Sequence, residues 1–137
     1  MKKYFLVPLV ITLLLASTTA FAGSNKTVKK DAIVDNLKVG LTSDNYGLKV
    51  SSAYVLGQLV SDGIINSDDA SKTIIPLMKI MNDEESDEAR IVAALALYQL
   101  ESERGAVLFD YAARYDNSKR FSRIGAVLYR AHNERNK

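Results

Sequence analysis

The sequence predicts an all-α fold, and three observations lead to that prediction. Leu, Ala, Lys and Glu are plentiful after residue 30, and the apolar–polar alternation typical of strands is missing. The breaks between apolar runs are short polar turns. The residue pattern of one apolar helix also recurs further along the chain, which favours a right-handed stack of helical hairpins. An irregular helical bundle is the alternative architecture.

The first 22 residues have the pattern of a secretory signal peptide. Lys2 and Lys3 supply a positive start, residues 4–16 are mostly apolar, and residues 20–22 read Ala-Phe-Ala. We therefore expect cleavage before Gly23. A retained membrane anchor is the alternative, but a spanning helix needs about 20 apolar residues and this run is shorter.

The predicted signal peptide indicates where the protein is expected to be located. Nothing after residue 23 approaches a transmembrane segment, and the short signal favours a bacterial cell. We thus expect a periplasmic or secreted protein.

The chain has no cysteine, so disulfides, thiol catalysis and thiolate metal sites are excluded. The 115 residues left after cleavage suffice for one domain with its own core.

The charge is balanced in total but uneven along the chain. After cleavage 16 basic and 16 acidic residues remain, which argues against a nucleic-acid partner. Residues 62–103 hold ten acids and three bases, whereas residues 114–137 hold seven bases and two acids. At 100° per residue, Arg120, Arg123 and Arg130 share one helix face within about 80°. This face is a solvated end cap, a contact for an anionic partner, or one half of a head-to-tail association.

The apolar runs and their polar starts predict six helices after a flexible leader at residues 23–30. Asp44-Asn45, Glu85-Ser86 and Asp116-Asn117 each place a capping side chain before an apolar run. The predicted helices span residues 31–41, 45–61, 68–82, 86–102, 104–115 and 117–133.

A repeat links three of these helices. Residues 49–59 align with residues 90–100 at an offset of 41, so that basic, apolar, small, Leu and Gln positions coincide. A further offset of 31 reaches residues 121–131, where Gly125, Val127 and Leu128 take the matching positions. The third copy is weaker because Phe121 replaces the basic residue.

The middle of the chain resembles a HEAT repeat. Residues 75–83, with Pro76, are followed by an acidic turn and then by Ala89-Arg90 and the Ala- and Leu-rich residues 93–97. The resemblance implies a proline-kinked first helix and a second helix that opens with a basic residue. Extended over residues 31–133, it implies a short right-handed α-solenoid of about three HEAT-like hairpins. The motif is degenerate and implies a fold rather than an activity.

The sequence offers little for catalysis, cofactors or metals, and we expect no enzyme. The single histidine, His132, is expected on the surface at the frayed end of the last helix, and no Gly-rich phosphate loop, G-x-S-x-G or H-E-x-x-H motif occurs. Residues 82–88 are acidic, but they are contiguous and lack the glycine of a calcium loop. They are better interpreted as an inter-helix turn capped by Ser86.

The aligned helices define a candidate binding surface. If the small and Leu positions of each copy face the core, the opposite side of the three helices forms one stripe, apolar in its middle. An exposed apolar patch with a polar rim is typical of a contact site. The predicted partner-binding residues are Tyr54, Gln58, Val92, Leu95, Ala96, Gln99, Arg123 and Arg130.

This surface predicts an interaction module that binds a protein or peptide in the cell envelope. The alternatives are that the chain itself covers Val92 and Leu95, or that the protein is an envelope enzyme or an accessory subunit of one. The partner and the oligomeric state stay open.

Overall fold

The computed structural model describes the backbone of residues 18–137 and the side chains from residue 29 onward. Contacts divide the chain after Ile33, and the hydrophobic core lies in the unit Val34–Lys137. The described part of the chain is all-helical, without strands. Its elements are α1 (Thr18–Leu41), α2 (Tyr46–Ser61), a 3₁₀ turn (Ser71–Thr73), α3 (Ile74–Asp83), α4 (Asp87–Gln99), α5 (Glu103–Tyr115) and α6 (Lys119–Arg135).

Four helices begin at a capping side chain that accepts a hydrogen bond from the backbone three residues later. Such a bond satisfies one of the free N–H groups of the first turn. The predicted caps Asn45 of α2 and Ser86 of α4 are confirmed. Ser102 caps α5, and Ser118 caps α6. The expected cap at Asn117 is therefore wrong by one residue; Asp116 instead accepts a bond from the Ser118 N–H at 2.9 Å.

The helix around Pro76 differs from the prediction. The sequence predicts a single kinked helix over residues 68–82, but residues 71–73 form a 3₁₀ turn and α3 starts at Ile74. Pro76 therefore lies in the first turn of α3, where a backbone N–H has no intrahelical acceptor and its absence costs nothing. The expected proline kink is not needed.

The structure describes only part of the N-terminal region for which the sequence predicts a signal peptide and a flexible leader. The expected signal peptide covers residues 1–22, of which residues 1–17 lie outside the described residues. The backbone of residues 23–30, where the sequence predicts a flexible leader, is helical and belongs to α1. No described helix is long and apolar enough to cross a membrane.

The central element is α4, which packs against α2, α3, α5 and α6. Ala96 faces α2, because a Cβ added at Gly57 would lie 3.5 Å from the Ala96 Cα atom. Tyr98, two residues on and thus about 200° around the helix, receives a hydrogen bond from Arg135 of α6 at 2.8 Å. Hence α4 lies between α2 and α6.

The buried positions follow the predicted register. The small and Leu positions of the three aligned segments face the core, as expected. They are Ala53 and Leu56 in α2, Ala94 and Leu97 in α4, and Gly125 and Leu128 in α6. The largest fully buried side chains include Phe109, Phe121, Leu56, Ile65, Leu77, Met81 and Leu97.

Polar contacts connect the N-terminal ends of α2, α4 and α6, and we call this set the turn ladder. The Tyr46 hydroxyl lies 2.9 Å from that of Ser86, and the Ser118 hydroxyl donates to the Asp87 carboxylate. Two ion pairs belong to the same set: Lys49 with Glu84, and Arg90 with Asp116. In each ion pair, a basic residue near the start of one helix contacts an acidic residue in a later turn. Lys49 of α2 contacts the turn before α4, and Arg90 of α4 contacts the turn before α6.

Arg90 is the most densely contacted of these groups. Its Nε donates to the Met81 carbonyl at 2.9 Å, and both Nη atoms donate to Asp116. Its guanidinium also lies 3.9 Å from the centre of the Phe121 ring. The hydrogen bond from Arg90, reinforced by that from the Ser118 N–H, holds the pKa of Asp116 below its ordinary value against the opposing effect of burial.

Candidate functional site

The predicted stripe forms a pocket between α2 and α4. The pocket has a volume of about 140 Å³, close to the roughly 150 Å³ of a cavity that holds benzene. It can therefore accept about one apolar side chain. Six of the eight predicted contact residues line this α2–α4 pocket. Its lining is Ala53, Tyr54, Gly57, Gln58, Val92, Leu95, Ala96 and Gln99.

Small residues make the pocket floor. Gly57 on α2 faces Ala96 on α4, and a Cβ at position 57 would meet the Ala96 Cβ at 3.6 Å. Because Gly57 has no side chain, α2 and α4 pack closely at this point, and both residues line the pocket. Tyr54 and Gln58 rise on one side and Val92, Leu95 and Gln99 on the other. The walls are thus mainly apolar, with two amides and one phenol as polar tips.

The exposure of the wall residues corrects one member of the prediction. Tyr54 is 59 % exposed and Leu95 is 44 % exposed, so the chain itself does not cover them. Val92 and Gln99 are half-buried, and Gln58 is exposed. Ala96, expected on the open surface, is only 1 % exposed because it packs against Gly57. Ala96 therefore belongs to the floor, and Leu95 is the prominent apolar group of α4.

The two predicted arginines lie on α6, outside the α2–α4 pocket. Arg123 and Arg130 are exposed, as is Arg120, and Val127 between them is 62 % exposed. At 100° per residue these four side chains fall within about 80°. Arg130 also borders a wider cleft between α5 and α6. Among the described residues, no carboxylate lies within ion-pair distance of the three guanidinium groups.

His132 is not the surface residue that the sequence predicts. It is 3 % exposed because it lies one helical turn after the buried Leu128, on the side of α6 that faces the core. Its Nε2 lies 3.1 Å from the Asn136 amide nitrogen and 3.4 Å from a Glu103 carboxylate oxygen. Frayed helix ends seldom bury a side chain, so the expected end of α6 at residue 133 led to the wrong exposure.

The acidic stretch at residues 82–88 is the inter-helix turn that the sequence predicts. Ser86 caps α4, Glu84 pairs with Lys49, and Asp87 accepts from Ser118. Two of the five carboxylates in this stretch, those of Glu84 and Asp87, are thus engaged by partners from other helices. Within the described residues, no group of three or more His, Cys, Asp or Glu side chains could hold a metal ion.

Two surface features are not predicted from the sequence. A polar cavity of about 210 Å³ between α2 and α3 contains the Lys49–Glu84 pair. On α5, Val107, Tyr111 and Tyr115 form an exposed row, with the two tyrosine rings 5.2 Å apart. Their spacing of four residues is visible in the sequence, but it is equally typical of a buried helix face.

No protein-family model, no curated protein and no solved structure matches this chain at a significant level.

Proposed function

We propose that this protein is an exported, HEAT-like helical-repeat module that binds a protein or peptide partner in the cell envelope. The observation that carries the proposal is the α2–α4 pocket, whose walls come from two helices and whose apolar groups stay open to solvent. Exposed apolar groups with a polar rim favour contact with a partner. The pocket holds amides and a phenol, which can donate and accept hydrogen bonds along a bound backbone.

The repeat architecture of the proposal rests on two regularities. Equivalent small and Leu positions are buried in α2, α4 and α6. The turn ladder joins the starts of the same three helices in sequence. Both are expected of a short right-handed α-solenoid of about three hairpins, in which each unit contacts its neighbours. Export rests on the basic start and the small residues before Gly23.

A photo-crosslinking amino acid at Leu95 tests the binding proposal. In cells, it should crosslink to a defined partner, because Leu95 is open to solvent beside the pocket. The matched control is Ile75 on α3, which is 50 % exposed but lies outside the pocket. Equal crosslinks from both positions, or none from Leu95, would contradict the proposal.

The substitution Leu95→Glu separates binding from folding. With the crosslinker placed instead at Gln58, the exposed residue of the α2 wall, Leu95→Glu should abolish the crosslinked complex. It should cost about 1 kcal/mol or less of unfolding free energy, as is usual for a half-exposed site. A loss of several kcal/mol in urea denaturation would mean that Leu95 is core, since a buried unpaired charge is that costly. The pocket would then be no binding site.

A further inference from the structure

We infer that the partner segment is extended and acidic. One of its apolar side chains enters the α2–α4 pocket, and an acidic side chain about four residues away in the same segment contacts the arginines of α6. This inference rests on the proposed function and names the chemistry that the surface selects. It starts from the helix register, which places both the pocket and the exposed arginines on open sides of neighbouring helices.

The shared side follows from the helix register. On α4, Ala96 faces α2 and Tyr98 faces α6, so Leu95 and Gln99 lie on the open side between them. On α6, Arg135 faces α4 and Gly125 faces α5, since a Cβ at position 125 would lie 2.9 Å from the Phe109 carbonyl. At 100° per residue, Arg120, Arg123 and Arg130 point about 140–160° away from Gly125 and so lie on the open side of α6, where Arg130 also borders the α5–α6 cleft.

The charge on this side favours an anionic ligand. Arg120, Arg123 and Arg130 are exposed around Val127. Exposed carboxylates on the same side are Glu88 of α4 and Glu134 of α6. The wall residues contributed by α2 are neutral. The positive charge is thus concentrated on α6, one helix away from the pocket.

The spacing sets the length of the recognised segment. Packed helices have axes about 8–10 Å apart. The pocket lies midway between α2 and α4, so the row on α6 is about 12–15 Å away. An extended chain advances about 3.3 Å per residue. An apolar residue in the pocket therefore places an acidic residue near Arg123 and Arg130 when about four residues separate them.

Selection from a random library tests this chemistry directly. The probe is a phage-displayed library of 12-residue peptides, panned on the full chain. Enriched peptides should carry an apolar residue with Asp or Glu three to five positions away. A synthetic peptide of that sequence should lose at least tenfold in affinity when its acid is changed to the amide or its apolar residue to alanine. Enrichment without that spacing, or no enrichment, would overturn the inference.

Charge reversal tests whether Arg123 and Arg130 bind the acidic side chain of the peptide. Arg123→Glu with Arg130→Glu should raise the Kd of the acidic peptide at least tenfold and leave that of its amide form unchanged. The control reverses Lys79 and Arg104, two exposed bases outside the pocket and outside α6, and changes the net charge equally. If both double variants weaken binding alike, the effect is a general attraction and the inference is wrong.

The two proposals fail in different ways. If Leu95→Glu abolishes peptide binding and reversal of Arg123 and Arg130 does not, the pocket stands as a binding site and the acidic preference is overturned. If Leu95→Glu leaves binding of the enriched peptide intact, the pocket is not the site and the proposed function fails with it.

Discussion

Removing the Arg90 side chain should strongly destabilise the protein, because its ion pair with Asp116 is the most shielded one in the described part of the chain. Arg90→Met keeps most of the aliphatic stem but removes the bonds to Asp116 and to the Met81 carbonyl. The two side chains of the pair are only 15 % and 13 % exposed. Breaking a buried pair costs about 3–5 kcal/mol because the remaining charge is left alone. With this residual exposure, we expect a loss of about 3 kcal/mol.

Urea denaturation followed by circular dichroism measures this loss, and Arg114→Met is the matched control. Arg114 also pairs with an aspartate, Asp110, at 2.9 Å, and that hydrogen bond raises the pKa of Arg114. Arg114 is exposed on α5, so the control should leave the urea midpoint unchanged within error. A loss below about 1 kcal/mol for Arg90→Met would show that the ion pair is not what holds α4 to the turn before α6.

The pH dependence of the same variant isolates the ionic part of the effect. The pKa of Asp116 is lowered in the folded state, so its carboxylate contributes stability above its ordinary pKa of about 3.9. That contribution disappears as the pH falls through the lower, folded value. The difference in stability between the wild type and Arg90→Met should therefore narrow below about pH 4. An unchanged difference at lower pH would assign the loss to contacts that do not depend on the Asp116 charge, namely the hydrogen bond to the Met81 carbonyl and the contact with the Phe121 ring.

Three further predictions concern the glycines, the arginines and the N-terminus. Gly125→Ala should cost about 1–3 kcal/mol in urea denaturation, because the added Cβ would lie 2.9 Å from a backbone carbonyl. Gly47→Ala in the exposed first turn of α2 meets only one side-chain atom, at 3.5 Å, and should be neutral or stabilising; equal losses would refute the packing argument. Reversal of Arg123 and Arg130 to Glu should change the unfolding free energy by no more than about 0.5 kcal/mol, whereas unfolding would show that they are buried partners. The intact mass of the exported protein should correspond to a chain starting at Gly23, and a membrane-bound chain that retains Met1 would favour an anchor instead.

The local signals in the sequence predicted the helical part of the fold well. Caps at Asn45 and Ser86 were recognisable because Asn or Ser stands directly before an apolar run. The alternation of buried and open positions in α2 and α4 also follows from the repeat, since a shared register fixes which side faces the core. The same register brought six predicted residues together in one pocket.

The errors arose where tertiary contacts determine a helix boundary or the exposure of a side chain. Pro76 fits either a kink or a first turn, and only the 3₁₀ turn before α3 selects the latter. Ala96 was expected on the surface because the repeat aligns it with Val55, on the side opposite the small and Leu positions, yet its neighbour across the helix contact is Gly57. His132 lies four residues after the buried Leu128, on the same helix face, but the expected fraying of the helix end led to the wrong exposure. The outcomes at Pro76 and Ala96 are not visible in the local sequence alone.

The turn ladder also affects how the protein unfolds. Each of its ion pairs joins residues far apart in the chain, 35 positions for Lys49 and Glu84 and 26 for Arg90 and Asp116. Unfolding of α6 and the turn before it would remove the Asp116 carboxylate and the Phe121 ring from Arg90, and so weaken the start of α4 as well. Fraying that begins at one end is therefore transmitted to the centre. Helices α2, α4 and α6 should consequently exchange their amide hydrogens as one cooperative unit, in which the pocket between α2 and α4 persists only as long as α6 stays packed on α4.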